Sequence, residues 1–389
     1  MNPIAYAVKS GRENLVIDSA SVEEHLPALL PNPACATGTC APGIGVLTRE
    51  EYDVAAADFH LTPFQESRWL EALSGAGRRP AYFDFRHGAE RVGIAGGVEI
   101  SSPWRPLAGV SRCLYLYGMP PMQPGREVAM MESFTAFLRQ RGFNTLELAP
   151  YYNAPPPYVP RPAFRPRLAV EYRLDLALVP TELRRGVKRE RHYLMNRAKK
   201  SDLVYDESQG TARLEALLTC METTRHHRAG KGFGAYNPYY IPGLNEAAVR
   251  RLLEGGLGYI CTVSQQGRIL SAMFVIANLH HAYCILDGAT EEGYATGAFK
   301  YMMWCAIERS KAAGCRTVNL GGVPKDESGP RLADYKRSFG AEAHECEGGT
   351  CFLVGPWPTF LHRCYKLASR PRSVVQLAAD TLQTIWPRT

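Results

Sequence analysis

Hydrophobic and polar positions alternate with two periods along this chain, and the order of those periods outlines its architecture. In LTPFQESRWLEAL (Leu61–Leu73) the apolar positions Phe64, Trp69, Leu70 and Leu73 follow helical spacing behind a capping Thr62, so a helix is predicted there. RPAYFDF, RVGIAGGVEI and RCLYLYG then read as strands. EVAMMESFTAFLRQRGF is amphipathic with period 3.6 and stops at Gly142; NTLELAPYY follows as a strand. Further on, a helix is expected from about Thr211, then a loop, RHHRAGKGFGAYNPYY, then the helix NEAAVRRLLEGG. Two strand-like runs follow, GYICTVSQQ and ILSAMFVIANLHHAYCILDGAT. The run to Leu286 alternates poorly and is largely apolar, as expected for strands covered on both faces.

The helix–glycine–strand unit occurs twice. AMMESFTAFLRQRGFNTLELAP and YMMWCAIERSKAAGCRTVNLGG align Met131 with Met303, Gly142 with Gly314, Thr145 with Thr317 and Leu148 with Leu320, each pair 172 residues apart. One α/β unit used twice is the expectation. A proline-rich link, NAPPPYVPRPAFRPR (Asn153–Arg167), separates the copies. The organisation read from this is a loop-rich arm over 1–48, a first domain over 49–167, a second over 168–355 and a helical tail over 356–389.

Composition narrows the class. The 389 residues are 46% hydrophobic and 21% charged, enough for one or two real cores. No apolar run approaches the ~18 residues of a membrane span, and MNPIAYAVKSGREN lacks a signal-peptide pattern, so a cytoplasmic protein is expected. The eleven cysteines are scattered. Cys220, Cys261, Cys284, Cys305 and Cys315 sit among apolar residues and read as small buried hydrophobes. Cys35 with Cys40, and Cys346 with Cys351, have no third ligand at zinc-like spacing, so no metal is expected.

The net charge of +7 is concentrated. RRGVKRERHYLMNRAKK carries eight Lys and Arg side chains against one acid, Glu190. A helix of one sign predicts an anionic partner: phosphate, nucleic acid or a nucleotide-linked substrate. Arg184, Lys188, Arg189, Arg191, Arg197, Lys199 and Lys200 are the candidates, against the simpler reading of a solvated basic face. Of the histidine pairs His226–His227 and His280–His281, neither accompanies a Ser or Cys in a nucleophile-elbow context. Asp287, at the end of a strand, reads as a turn or cap residue or as part of a site.

Four stretches, in order, resemble the FemAB family, the FemX-like aminoacyltransferases. TPFQESRWLEAL is similar to the family's Phe-Gln…Trp helix. NRAKKSDLVYDES resembles its basic R-x-A-x-K-x-G helix end, with Asp202 in the glycine's place. ILDGATEEGYATGAFKYMMWCAIERSKAAGCRTVNLGGV resembles its strand–loop–helix–strand core. ADYKRSFGAE resembles its F-K-x-x-F-G signature, with Tyr335 for Phe. The likeness spans about 50–355. It implies an α/β fold of two acetyltransferase-type (GNAT-like) domains, each a mixed sheet flanked by helices. It also implies transfer of an amino acid from aminoacyl-tRNA to an amine, with aminoacyl-tRNA as co-substrate and no resident cofactor. Carried over from the signature, Lys336 stabilises the oxyanion and the Tyr335 carbonyl orients the amine, with Asp287 nearby and Arg337 among the anion-binding groups. The acceptor stays open: a cell-wall precursor, a natural-product scaffold or a peptide terminus. Two alternatives stand beside it. An acyl-CoA-dependent N-acyltransferase would need a glycine-rich phosphate loop, and EEGYATGAFKYMMW offers only Gly293 and Gly297. A non-enzymatic tRNA- or nucleotide-binding module is the other.

Overall fold

The computed structural model describes residues 42–101, 112–152, 164–178, 185–232, 237–324 and 328–354. Among them, twelve strands form one sheet. Its first half comprises β1 (Pro42–Leu47), β2 (Arg78–His87), β3 (Glu90–Ile100), β4 (Cys113–Leu116) and β5 (Thr145–Leu148). The helices of this half are α1 (Arg49–Ala56), α2 (Ser67–Ala72) and α3 (Glu127–Gln140). The second half holds β7 (Leu203–Ser208), β8 (Gly258–Gln265), β9 (Arg268–Ala277), β10 (His281–Ala289) and β11 (Thr317–Gly322). Its helices are α4 (Arg189–Lys199), α5 (Leu214–Gly230), α6 (Glu246–Glu254), α7 (Glu291–Thr296), α8 (Ala298–Ala312) and α9 (Gly329–Arg337). Two long strands, β6 (Phe164–Asp175) and β12 (Glu342–Phe352), lie in the middle of the order β1-β2-β3-β4-β5-β12-β6-β11-β10-β9-β8-β7.

The repeat is real at the level of hydrogen bonds. β4–α3–β5 and β10–α8–β11 are both parallel crossovers. Helices α3 and α8 end alike, with Gly142 and Gly314 left-handed at φ +79° and +85°. The closing bonds are Phe143 N to Leu138 O and Cys315 N to Ser310 O, both 3.0 Å and again 172 residues apart. This is the Schellman closure that a glycine makes without strain.

The halves exchange their last strands. β6 follows β5 in the chain but pairs with β11, and β12 follows β11 but pairs with β5; β6 and β12 also pair with each other over ten residues. The division read at residue 167 therefore falls inside one strand. The proline-rich link ends in that strand: Pro166 sits opposite Gly349 in the ladder. At the other end, Pro42–Leu47 of the segment read as loop is strand β1, paired antiparallel with β2.

Among the described residues, three apolar clusters fill the faces. One joins both halves, with Tyr52, Phe64, Trp69 and Tyr117 from the first packed with Leu217, Leu252, Phe274 and Tyr283 from the second. The opposite face holds two separate clusters, one under α3 and one under α4 and α8. The helix expected from Thr62 is broken: Pro63–Gln65 form a 3-10 turn, closed by Thr62 N donating to Gln65 Oε1 at 3.0 Å, and α2 starts at Ser67. Helix α5 runs through Arg225-His226-His227-Arg228 to Gly230, so the loop expected there starts later. Cys220, Cys261, Cys284 and Cys315 are buried and Cys305 is half-buried, in keeping with small apolar side chains. Cys35 and Cys40, the tail after residue 354 and most of the N-terminal arm lie outside the described residues.

Candidate functional site at the divergence of two strands

Strands β10 and β11 pair for only three residues, His281–Tyr283 with Thr317–Asn319, and then part. A bulge between Cys284 and Leu286 turns β10 away, while a register shift between Asn319 and Gly322 turns β11. Diverging strands leave backbone groups without ladder partners, which makes such a place a natural seat for a polar ligand.

Lys336 fills the fork. Its side chain comes from the last turn of α9, is 7% exposed, and donates from Nζ to the Gly322 carbonyl at 2.6 Å. Gly321, at φ +79°, passes so close that a Cβ there would lie 3.6 Å from Nζ and 3.7 Å from the Cys284 carbonyl. Burial lowers the ammonium pKa to about 8, against the opposing pull of Asp287, Cys284 and Glu171. Asp287 lies on β10 beyond the bulge. Burial raises its carboxyl, and Lys336 and Arg228 of α5 draw it back down.

The other sequence candidates separate. Tyr335 packs its ring on Phe299 and Phe339, with centroids 5.9 and 5.2 Å away. Its carbonyl already accepts from Ser338 Oγ at 2.5 Å and from Ser338 N at 3.2 Å. Arg337 is exposed, pairs with Asp334 at 3.4 Å and lies over the Tyr172 ring. Lys188, Arg189, Arg197 and Lys200 are exposed on and around α4, which is anchored to the core by Met195 and Ala198. Arg184 and the side chains of Arg191 and Lys199 lie outside the described residues.

The basic helix adjoins the signature helix. Lys188 N donates to Ser338 O at 3.1 Å, and Gly340, at φ +88°, comes within van der Waals reach of the Gly186 backbone. The Phe-Gly end of the signature therefore serves contact between the two helices. Asp202, standing where the resembling motif has glycine, adopts φ +53°, the left-handed conformation that a glycine would take without strain.

Sequence reasoning missed a ring of groups around the fork. Tyr283 and Asn319 both bond the buried carboxylate of Glu171, at 2.9 Å each. Tyr240 shares a hydrogen bond with Tyr283. Burial of its phenol, with Glu171 and Asp287 nearby, raises its pKa although the residue as a whole is half exposed. Two cavities, of about 150 and 430 Å³, meet Asn278 beyond the paired ends of β9 and β10 and contain none of these groups.

The stretch read as the candidate phosphate loop is helical on both sides of Gly297. Thr290 caps α7, accepting from Gly293 N at 3.0 Å, and α7 runs into α8 through Gly297 at φ +82°. A Cβ on Gly293 would overlap the Leu270 carbonyl, so this glycine serves strand packing. Tyr294 stacks on His227 and bonds Thr224 of α5 at 3.0 Å, fixing α7 in place.

Residues 181–337 match the acetyltransferase (GNAT) domain family. The crystal structure of FemX superposes with a TM-score of 0.65 at 13% identity, covering 82% of this chain and 99% of that one. The chain has the FemX fold. A conserved protein of unknown function from Bacteroides thetaiotaomicron is also similar, with a TM-score of 0.51, 11% identity, and 79% of this chain and 99% of that chain covered. No curated protein matches the sequence. The matched domain stops short of β12 and starts after β6, so the two exchanged strands that complete the FemX-like sheet lie outside it. Among the described residues, no helix is long and apolar enough to cross a membrane.

Proposed function

We propose that this protein is an acyltransferase that moves an aminoacyl group from tRNA to an amine. The observation that carries the reading is the buried Lys336 ammonium at the fork of β10 and β11. The amine nitrogen attacks the ester carbonyl carbon, a C–N bond forms and the carbonyl electron pair moves to oxygen. Lys336 Nζ meets that oxyanion with a charge-assisted hydrogen bond in a nearly dry site, where such a bond is worth most. Asp287, with its raised carboxyl pKa, takes the amine's proton. The tetrahedral species collapses, the ribose C–O bond breaks and the proton held by Asp287 passes to the leaving oxygen, so atoms and charge balance and the carboxylate is restored.

The exposed charges of Lys188, Arg189, Arg197 and Lys200 give the phosphates of a tRNA a landing surface, beside the helix that presents Lys336. The α7–α8 stretch lacks a glycine-rich run, and its Gly293 packs on the Leu270 carbonyl, which favours this donor over acyl-CoA, whose pyrophosphate needs close approach to backbone N–H groups. The acetyl-CoA reading keeps one observation, the match of the second half to the acetyltransferase domain family. Charged tRNA would be met in the cytoplasm, where this reading puts the protein. Incubation with a pool of charged tRNAs, or with acetyl-CoA, and a panel of amines separates the donors by product mass. Amide formed from tRNA, and lost in Lys336→Met, upholds the reading. Amide formed only from acetyl-CoA overturns it.

A further inference from the structure

Behind the fork stands a carboxylate that belongs to none of the sequence motifs. Glu171 lies on β6, the strand given by the first half to the second, and is 2% exposed. Its Oε1 accepts from the Tyr283 hydroxyl of β10 at 2.9 Å. Its Oε2 accepts from Asn319 Nδ2 of β11 at 2.9 Å, from an Arg173 guanidinium nitrogen at 2.7 Å and from Tyr152 N at 3.2 Å; the Cys346 thiol of β12 is 3.6 Å away. Four strong donors satisfy a carboxylate that burial would otherwise penalise heavily.

The path from this carboxylate to the lysine is short and continuous. Asn319 gives its amide N–H to Glu171 and accepts with Oδ1 from Gly321 N at 2.8 Å. That bond holds Gly321 left-handed, and the next carbonyl, Gly322, is the one that receives Lys336 Nζ at 2.6 Å. Asparagine suits this post, since it must donate on one side and accept on the other. The charged and titratable groups facing Lys336 are Asp287 and Cys284 from β10 and Glu171 from β6, with Arg337 across the Tyr172 ring; Arg228 of α5 faces Asp287.

We propose that Glu171 is a positioning residue of the transfer site: through Asn319 and the Gly321–Gly322 turn it holds the Lys336 ammonium where the oxyanion forms, so the first half of the chain completes the site of the second. The inference rests on the reading of Lys336 given under Proposed function. It adds that the exchanged strand carries function, and that residues 181–337 alone lack part of the site.

The test uses the full chain and Glu171→Gln, which keeps the volume and a carbonyl acceptor and removes the charge. Lys336 is titrated by competitive labelling with acetic anhydride, read by mass spectrometry across pH, which needs no substrate. Steady-state transfer is measured in parallel. The expected result is a Lys336 titration moved to lower pH and a kcat reduced roughly tenfold to a hundredfold, the cost of a misplaced catalytic group, with KM little changed. Tyr283→Phe keeps the charge and removes one donor, so its Lys336 titration stays near that of the wild type. If Glu171→Gln fails to fold, Asn319→Leu cuts the same path without touching the charge and is expected to lower kcat at unchanged KM. A folded Glu171→Gln protein with Lys336 titration and kcat both unmoved overturns the proposal, as does an Asn319→Leu protein with wild-type kcat. A shifted Lys336 titration in a protein that transfers no acyl group upholds the coupling and overturns the functional reading instead.

Discussion

A lysine held at 7% exposure with a backbone carbonyl as its hydrogen-bond acceptor is a costly residue, and the cost points to use. Its folded-state pKa of about 8 lies below the ordinary 10.5, so the folded protein binds fewer protons than the unfolded chain between those values. Stability therefore rises with pH through that window and is penalised below it. Lys336→Met removes the buried charge while keeping the apolar stem, and the Gly322 carbonyl it frees is on an exposed residue. Chemical denaturation at pH 7 should find the variant more stable by about 1–3 kcal/mol, while kcat falls by ~10²–10³ with little change in KM. A variant that is both less stable and fully active would remove Lys336 from the chemistry. The pH profile gives a second check. If the ammonium is the active form, kcat declines above about pH 8; a rise through the same range would make Lys336 a base instead. Asp287→Asn withdraws both the proposed proton acceptor and a carboxylate that holds the ammonium charged, so kcat should fall and the alkaline limb of the remaining activity should move to lower pH.

At the scale of elements, the sequence revealed what is local and hid what is paired at long range. Helix α8, its glycine stop and β11 could be read because period, cap and turn lie within about twenty residues of each other. The repeat was visible for the same reason. Strand β6 was not, because prolines mask its approach and only the ladder with β12, some 180 residues later, makes an edge-like sequence into a central strand. Glu171 was lost with it: the first of two acids in VEYRLD has no signature until Tyr283 and Asn319 arrive from two other strands. Lys336 was legible through its motif, whereas the engagement of the Tyr335 carbonyl by Ser338 was not, since helix C-terminal bonding depends on the backbone path after the signature. Packing at this scale makes its own prediction. Gly293→Ala drives a methyl into the Leu270 carbonyl and should cost about 1–3 kcal/mol, as overpacking commonly does, read as a lowered denaturation midpoint; an unchanged midpoint would mean that α7 is free to shift. On α4, replacing Lys188, Arg189, Arg197 and Lys200 by Gln should weaken tRNA binding and reduce the log–log salt slope by roughly 0.7–0.9 for each phosphate no longer neutralised. Unchanged slope would mark the helix as a solvated face.

For the molecule as a whole, the exchanged strands and the shared apolar cluster decide how the halves behave together. Two acetyltransferase-type units joined only by a linker would unfold as two units, each with its own midpoint. Here β12 of the second half sits between β5 and β6, β6 of the first sits between β12 and β11, and one core unites Trp69 and Phe64 with Leu217 and Phe274. Removing either half strips the other of a central strand and opens its core to water. Unfolding should accordingly be cooperative across both. Trp69 of α2 reports on the first half and Trp304, on the buried face of α8, on the second. Fluorescence of proteins in which Trp104, Trp357 and Trp386 and one or the other of this pair are replaced by Phe should give urea midpoints that differ only by the cost of the last substitution, with slopes that match each other and match the loss of far-ultraviolet circular dichroism. Slopes near half that value in either variant, or a first-half transition that leaves the second half's signal intact, would show independent halves. In that case the route from Glu171 to Lys336 would cross a boundary that opens before the site does, and the exchanged strand could not be what holds the lysine in place.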